Sequence, residues 1–306
     1  RERFGAAVRR HPLRREIIAT TVVNQVVDYG GTTYAFRLAE EMGVTAEDAV
    51  RAFFTATEIF DLHELWERIR TAPMPTAVRD ELELETKRTL DRASRWLLSN
   101  RPQPLAIASD IARYREGIRA LGPTVPVWKP GRLSESFLAR SNMAIQRGAP
   151  ADLAESVYLL IYRFSLLDIV DIAELAERDQ HEVVVLYYAL DQQFEVQRLL
   201  DAVVGLERSD RWRTLARLTV RDDLYESLRA LTLDVLAATT PEDSVEDKIA
   251  HWESINSSRL GRARAALAEI FATESLDIAT LSVAARQVRG MAGGADSTAP
   301  TPSPIE

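Results

Sequence analysis

The chain has 306 residues, 46% of them apolar, so it can form one large or two small domains around a well-filled core. A formal net charge of −8 works against a nucleic-acid or anionic-membrane partner, which would require a surplus of Lys and Arg. With no cysteine, the chain has no disulfide, no thiolate metal ligand and no cysteine nucleophile.

No apolar run approaches the roughly 20 residues that span a bilayer, and no signal peptide is visible. These features read as cytoplasmic. The chain opens on Arg1 rather than Met, which reads as a segment of a longer polypeptide. Its lysines are only Lys87, Lys129 and Lys248; the abundance of Arg, Ala and Asp suggests a GC-rich bacterial genome.

Residues 1–11 are basic and irregular, and Pro12 suits a first helical position because it has no N–H to leave unpaired. Leu13 to Val27 follows, with Ile17, Ile18, Val22, Val23 and Val26 spread around the helix. A helix apolar on more than one side belongs in a core, so this one is expected to be central, with Asn24 hydrogen-bonded to a neighbouring helix. Gly30-Gly31 stops it. The organising stretch is 36–69: a short helix ending at Gly43, a longer helix and a third. Thr45 and Asp48 have capping-box spacing, and Asp61 with Glu64 repeats the signal. A helix over 76–98 carries a stripe of Val78, Leu82, Leu90, Ala93 and Leu97. Pro102 and Pro104 separate it from one near 105–120.

Residues 122–131 contain three prolines and two glycines, which rules out a regular helix and marks a strap. The reading is a first helical unit over 1–121, the strap over 122–131, a second unit over 132–290 and a disordered tail over 291–306. The second unit reads as helices near 133–147, 150–163, 165–177, 180–204, 209–238, 243–272 and 275–289, with Thr240-Pro241-Glu-Asp243 as a cap. Apolar residues recur at three and four, not two, so the fold class is all-α, with ten to twelve helices. A shift of 134 places Leu38 on Ile172, Phe53 on Tyr187, Phe60 on Phe194 and Ile69 on Val203 without a gap, the pattern of an internal duplication.

Motifs for chemistry are sparse. Leu38 to Val50 has helix-turn-helix spacing, but its second helix offers phosphates Glu47 and Asp48 against only Arg51. A structural corner is the better reading. His63-Glu64 and His181-Glu182 both lack the second histidine of a helical zinc site. No glycine loop for a dinucleotide and no Gly-x-Ser-x-Gly elbow occurs. Catalytic, cofactor-binding and metal residues are therefore all expected to be none. The segment Arg217 to Arg229, with Asp222, Asp223 and Glu226, reads as a solvated face or an interface patch. Trp66, Trp96, Trp212 and Trp252 read as core anchors, and Trp128 in the strap as an interface anchor.

His11-Pro-Leu-Arg-Arg-Glu-Ile-Ile-Ala-Thr20, Thr33-x-Ala-Phe-Arg-Leu-Ala-Glu-Glu41, Phe60-Asp-Leu62, Arg95-Trp-Leu-Leu98, Arg211-Trp212 and Arg221-Asp-Asp-Leu-Tyr225 occur in order along the chain. With Asp277-Ile-Ala-Thr-Leu-Ser-Val283 and Arg286, they resemble the C-terminal region of the large bacterial NAD-specific glutamate dehydrogenases. The resemblance covers about 11–290. It implies a parent enzyme that oxidatively deaminates L-glutamate to 2-oxoglutarate and ammonia with NAD bound elsewhere. It implies for this segment a non-catalytic scaffold, oligomerisation or regulatory role, with no cofactor of its own. The implied partners are the catalytic region of the same polypeptide or other subunits of a homo-oligomer, with no nucleic acid and no membrane. The alternative is an independent helical adaptor that binds a peptide or protein partner.

Overall fold

A computed structural model describes residues 10–125, 132–207, 210–273 and 275–292. Among the described residues there are fifteen α-helices and no strand. The runs Val183-Val-Val and Tyr187-Tyr188 lie inside a helix. By internal contacts the chain divides into two compact units, Arg1–Leu167 and Asp168–Glu306. Trp128 and the rest of 126–131, like the tail from 293 onward, lie outside the described residues.

The first unit contains α1 (Arg14–Gln25), a π-helical turn (Val26–Gly30), α2 (Tyr34–Met42), α3 (Ala46–Ile59), α4 (Leu62–Thr71) and α5 (Thr76–Asn100). It continues with α6 (Ile107–Leu121), α7 (Arg132–Gln146) and α8 (Ala151–Arg163). Its centre is α3, which packs against α2, α4, α5, α6 and the π turn. The local sequence sets up that helix at both ends. Gly43 takes the left-handed conformation, φ +67°, that ends α2 without a Cβ penalty. The Thr45 hydroxyl accepts the Asp48 N–H while the Asp48 carboxylate accepts the Thr45 N–H, so two orphan donors are satisfied. Ala49, Ala52, Phe53, Ala56 and Ile59 then bury one helical face. Burial of a side chain such as Phe53 stabilises by about 1.5–3 kcal/mol, and its truncation to Ala would cost about 3–5 kcal/mol.

Helix α9 (Leu166–Leu175) begins at the division. The second unit continues with α10 (Gln180–Gln193), α11 (Val196–Gly205), α12 (Arg211–Ala237), α13 (Val245–Ile255), α14 (Ser257–Phe271) and α15 (Ile278–Arg289). Its long helix α12 packs against α10, α11, α13 and α15. Leu224, Leu228, Leu231 and Val235, three or four apart, form its buried stripe. Trp252 is buried beside it and donates from Nε1 to Asp234 at 2.8 Å.

Two pairs of helices have matching bounds at the offset seen in the sequence: α3 with α10, and α4 with α11. The backbone follows the same offset. Gly43 and Glu177 have φ of +67° and +52°, and Asp61 and Glu195 have φ of +52° and +49°. Thr45 and Asp179, again at that offset, both cap with a side-chain oxygen.

Several local expectations are corrected. Residues 180–204 are two helices, because Glu195 turns left-handed after Phe194 and interrupts the helical ladder. Residues 243–272 split at Asn256, whose side-chain amide donates to the Trp252 carbonyl and competes with the helix for it. The cap of α13 is Ser244, not Thr240; Thr240 and Asp243 close a separate turn upstream. Asp61 makes no side-chain cap to α4, because its left-handed backbone turns the carboxylate towards Arg115 and Arg119 instead. The largest correction is α1. It is not central: none of its residues is buried, and Asn24 is exposed.

Candidate functional site

The most distinctive local structure joins α1 to the first unit. Continuing α1, Val26–Gly30 forms a π turn in which the Gly31 N–H reaches both the Val26 and Val27 carbonyls, at 3.2 and 3.0 Å. Such wide turns inside α-helices recur at functional positions. Two glycines permit this one. Gly31 has φ +103°, open to few residues with a side chain. A Cβ on Gly30 would lie 2.8 Å from the Tyr34 ring.

The turn presents Tyr29 to a set of aromatic rings. Tyr29 stacks on Trp66 with ring centroids 4.1 Å apart and planes 8° from parallel. His63 stands edge-on to both, at 5.8 Å from Tyr29 and 5.5 Å from Trp66. Phe53 lies beneath Trp66 at 6.4 Å, and Tyr34 meets Phe53 edge-on at 5.7 Å. Two polar groups of this cluster are hydrogen-bonded to α5. Trp66 Nε1 donates to Thr86 at 2.9 Å and the Tyr34 hydroxyl donates to Ser94 at 2.8 Å. Burial pushes the Tyr34 phenol above its ordinary value, although the Ser94 hydrogen bond opposes the shift. Pairs of this kind add about 0.5–1.5 kcal/mol each beyond burial. The arrangement is a clamp that fixes the base of α1, where Val26 is buried.

Two sets of buried charges are paired within their own units. Arg95 on α5 reaches Asp91 at 2.9 Å and Glu41 of α2, and Arg37 binds Asp91 at 2.8 Å. Burial works against ionised Asp91, but the Arg95 and Arg37 charges outweigh it and hold its carboxyl below the ordinary range. In the second unit Arg229 pairs with Asp171, with Asp168 at 3.5 Å. Lys248, almost fully buried, lies 3.3 Å from Glu182 and donates to the Pro241 and Asp243 carbonyls. The Tyr187 phenol, pushed up by burial and next by Asp168, completes this set.

The residues singled out in the sequence are dispersed. His63 joins the clamp, His11, His181 and His251 are exposed, and no group of three or more metal-ligating residues occurs among the described residues. Trp66, Trp96 and Trp252 are buried, but Trp212 is 75% exposed and is not a core anchor. It occupies the first turn of α12, ahead of the helix's buried stripe, and Arg211 lies 5.9 Å from its ring. The charged segment of α12 divides three ways: Arg229 turns inward, Arg221 pairs with Asp222 at 2.7 Å, and Asp223 takes Arg289 of α15. The aromatic clamp escaped sequence reasoning because a π turn has no spacing signature. Tyr29 beside Gly30-Gly31 was the available hint.

The family described as glutamate dehydrogenase, C-terminal, matches residues 1–290. The NAD-specific glutamate dehydrogenase of Mycobacterium tuberculosis is 48% identical over 291 residues, covering 95% of this chain and 18% of that protein. The protein of the same name from Pseudomonas aeruginosa is 31% identical over 293 residues, and that from Halomonas elongata 29% over 294. Both have the same coverage, so the chain spans a little under a fifth of the length of the curated relatives it matches. The chain belongs to the glutamate dehydrogenase C-terminal domain family.

Proposed function

We propose that the chain is a non-catalytic C-terminal domain of a cytoplasmic, homo-oligomeric NAD-dependent glutamate dehydrogenase, with a scaffold, oligomerisation or regulatory role. The whole polypeptide would oxidatively deaminate L-glutamate to 2-oxoglutarate and ammonia, with NAD bound outside this segment. The observation that carries this reading is the family match over residues 1–290, together with alignment to a small part of much longer relatives named NAD-specific glutamate dehydrogenases. A second line of support is the use of buried charge. Arg95, Arg229 and Lys248 all face carboxylates of their own unit, the arrangement expected where charge fixes a fold rather than a substrate. The matching helix bounds and left-handed residues support a duplicated origin for 33–98 and 167–232. Calorimetric titration of the purified segment with NAD, alone and with glutamate, is expected to give no binding heat. Micromolar NAD binding would overturn the non-catalytic assignment.

A further inference from the structure

Helix α1, with the flanking Leu13 and Val27, carries large apolar side chains that the domain leaves unburied. Leu13 and Ile17 occupy one side, Ile18 and Val22 the next, and Val23 and Val27 the side beyond, at 100° per residue. Leu13 and Val23 are each 57% exposed, and Ile17, Ile18 and Val27 are exposed as well. A helix apolar around its circumference is the kind that a larger protein encloses. Such an exposed set marks an interaction surface rather than the scatter of single apolar residues that any surface shows. Its base, in contrast, is fixed: Val26 is buried, Tyr29 stacks on Trp66, and Gly30 is pressed against Tyr34. The helix is thus anchored at one end and buries none of its residues along the rest.

The relatives indicate what covers it. In the relatives the matched stretch is 18% of the polypeptide, and the family is the C-terminal one, so most of a relative's chain precedes this domain. The helix lies in the first tenth of the matched stretch, next to that preceding part. Its own charge differs from the domain's: Arg14 and Arg15 stand against Glu16 alone, within a chain of net charge −8. A second copy packed parallel on the same face would set these arginines against their own counterparts.

We propose that α1 is a docking helix, buried in full-length enzyme against the preceding part of the same polypeptide, in an apolar groove rimmed by carboxylates. The inference rests on the reading that this domain is fused to a glutamate dehydrogenase. It adds the surface and the chemistry of the seat.

The test is hydrogen-exchange mass spectrometry on full-length enzyme, with and without the double substitution Ile17→Glu and Val23→Glu. Both positions are outside this domain's core and Glu is a good helix former, so peptides over 46–59 should be equally protected in both proteins. Peptides over 13–25 are expected to exchange at least ~10-fold more slowly in the unsubstituted enzyme, a difference of about 1.4 kcal/mol in opening. Equal exchange in the two proteins would overturn the proposal. Protection that vanishes when the enzyme is diluted into separate subunits would also overturn it, in favour of a second copy. Failure here leaves the calorimetric test of NAD binding untouched, so the two readings fail separately.

Discussion

Arg119 clasps Asp61 with two parallel hydrogen bonds, Nε to one carboxylate oxygen at 2.8 Å and Nη2 to the other at 2.7 Å. The clasp is possible because Asp61 sits in the left-handed region between α3 and α4, which aims its carboxylate at α6 rather than along its own helix. Arg115 adds a further hydrogen bond to the same group. Burial raises the Asp61 carboxyl, but the hydrogen bonds from Arg119 and Arg115 outweigh it and leave the group below the ordinary value.

Asp61→Asn tests this clasp. Asn tolerates the left-handed backbone, so the substitution removes the charge and little else. The pair is partly solvated, so the expected loss is modest, about 2 °C in melting temperature, and smaller in high salt. The sign with pH follows from the depressed folded-state value. The carboxylate's contribution is complete above the unfolded value near 3.9 and is lost as pH falls through the lower folded value. The gap in melting temperature between the two proteins should therefore narrow below about pH 4. A gap that widens in acid would contradict the assignment.

Arg95→Met addresses the buried cluster of the first unit. It leaves Asp91 in a sheltered position with only Arg37, and loss of one partner of a buried pair costs about 3–5 kcal/mol. Asp91 is also held below the ordinary carboxylate range, so its contribution is present at neutral pH and lost in acid. Urea unfolding should show a deficit at pH 7 that shrinks towards the pH at which Asp91 is protonated. A deficit of equal size at both ends would assign the effect to packing alone.

Lys248 is the most deeply buried cation among the described residues, and the neutral Lys248→Met keeps its bulk. The Pro241 and Asp243 carbonyls then lose a donor, while Glu182 retains Arg178 at 3.1 Å. About 2–3 kcal/mol of destabilisation is expected. Amine labelling offers an independent check: Lys87, partly exposed, should react well before Lys248. Comparable labelling of the two would mean that the interior of the second unit opens freely.

Glu195 and Asp61 share a left-handed backbone, but Glu195 has no clasp like that of Asp61; its carboxylate pairs with Arg198 on the surface at 3.0 Å. Glu195→Gly removes a backbone cost of about 1–2 kcal/mol and adds unfolded-chain entropy of about 0.4–1 kcal/mol. The expected net gain is about 0.5–1 kcal/mol by thermal or urea unfolding. Glu195→Val at the same place should destabilise, since a branched side chain tolerates that region worst. If both variants matched the parent, the turn between α10 and α11 would be unstrained.

Much of this fold is written locally. The three- and four-residue spacing specified an all-α chain. Gly43, the Thr45–Asp48 box and the stripe from Val78 to Leu97 placed α2, α3 and α5, because caps and amphipathic faces act within a few residues of one another. The motifs near 11–20, 95–98 and 277–283 carried the family resemblance, which required no coordinates. Breaks without glycine or proline were not legible. Glu195 turns left-handed, and nothing in its residue type announces that. Charge pairing was beyond reach for a related reason. Arg229 and Asp171 are 58 residues apart, and only packing shows that Arg229 reaches across to Asp171 while Arg221 pairs with its neighbour Asp222. The role of α1 divides in the same way. Its sequence determined that Ile17, Ile18 and Val23 suit an apolar surround, since transfer from water depends only on what the side chains are. Tertiary structure decided that this domain does not supply that surround: the clamp of Tyr29 on Trp66 fixes only the base of the helix, and α1 buries no residue.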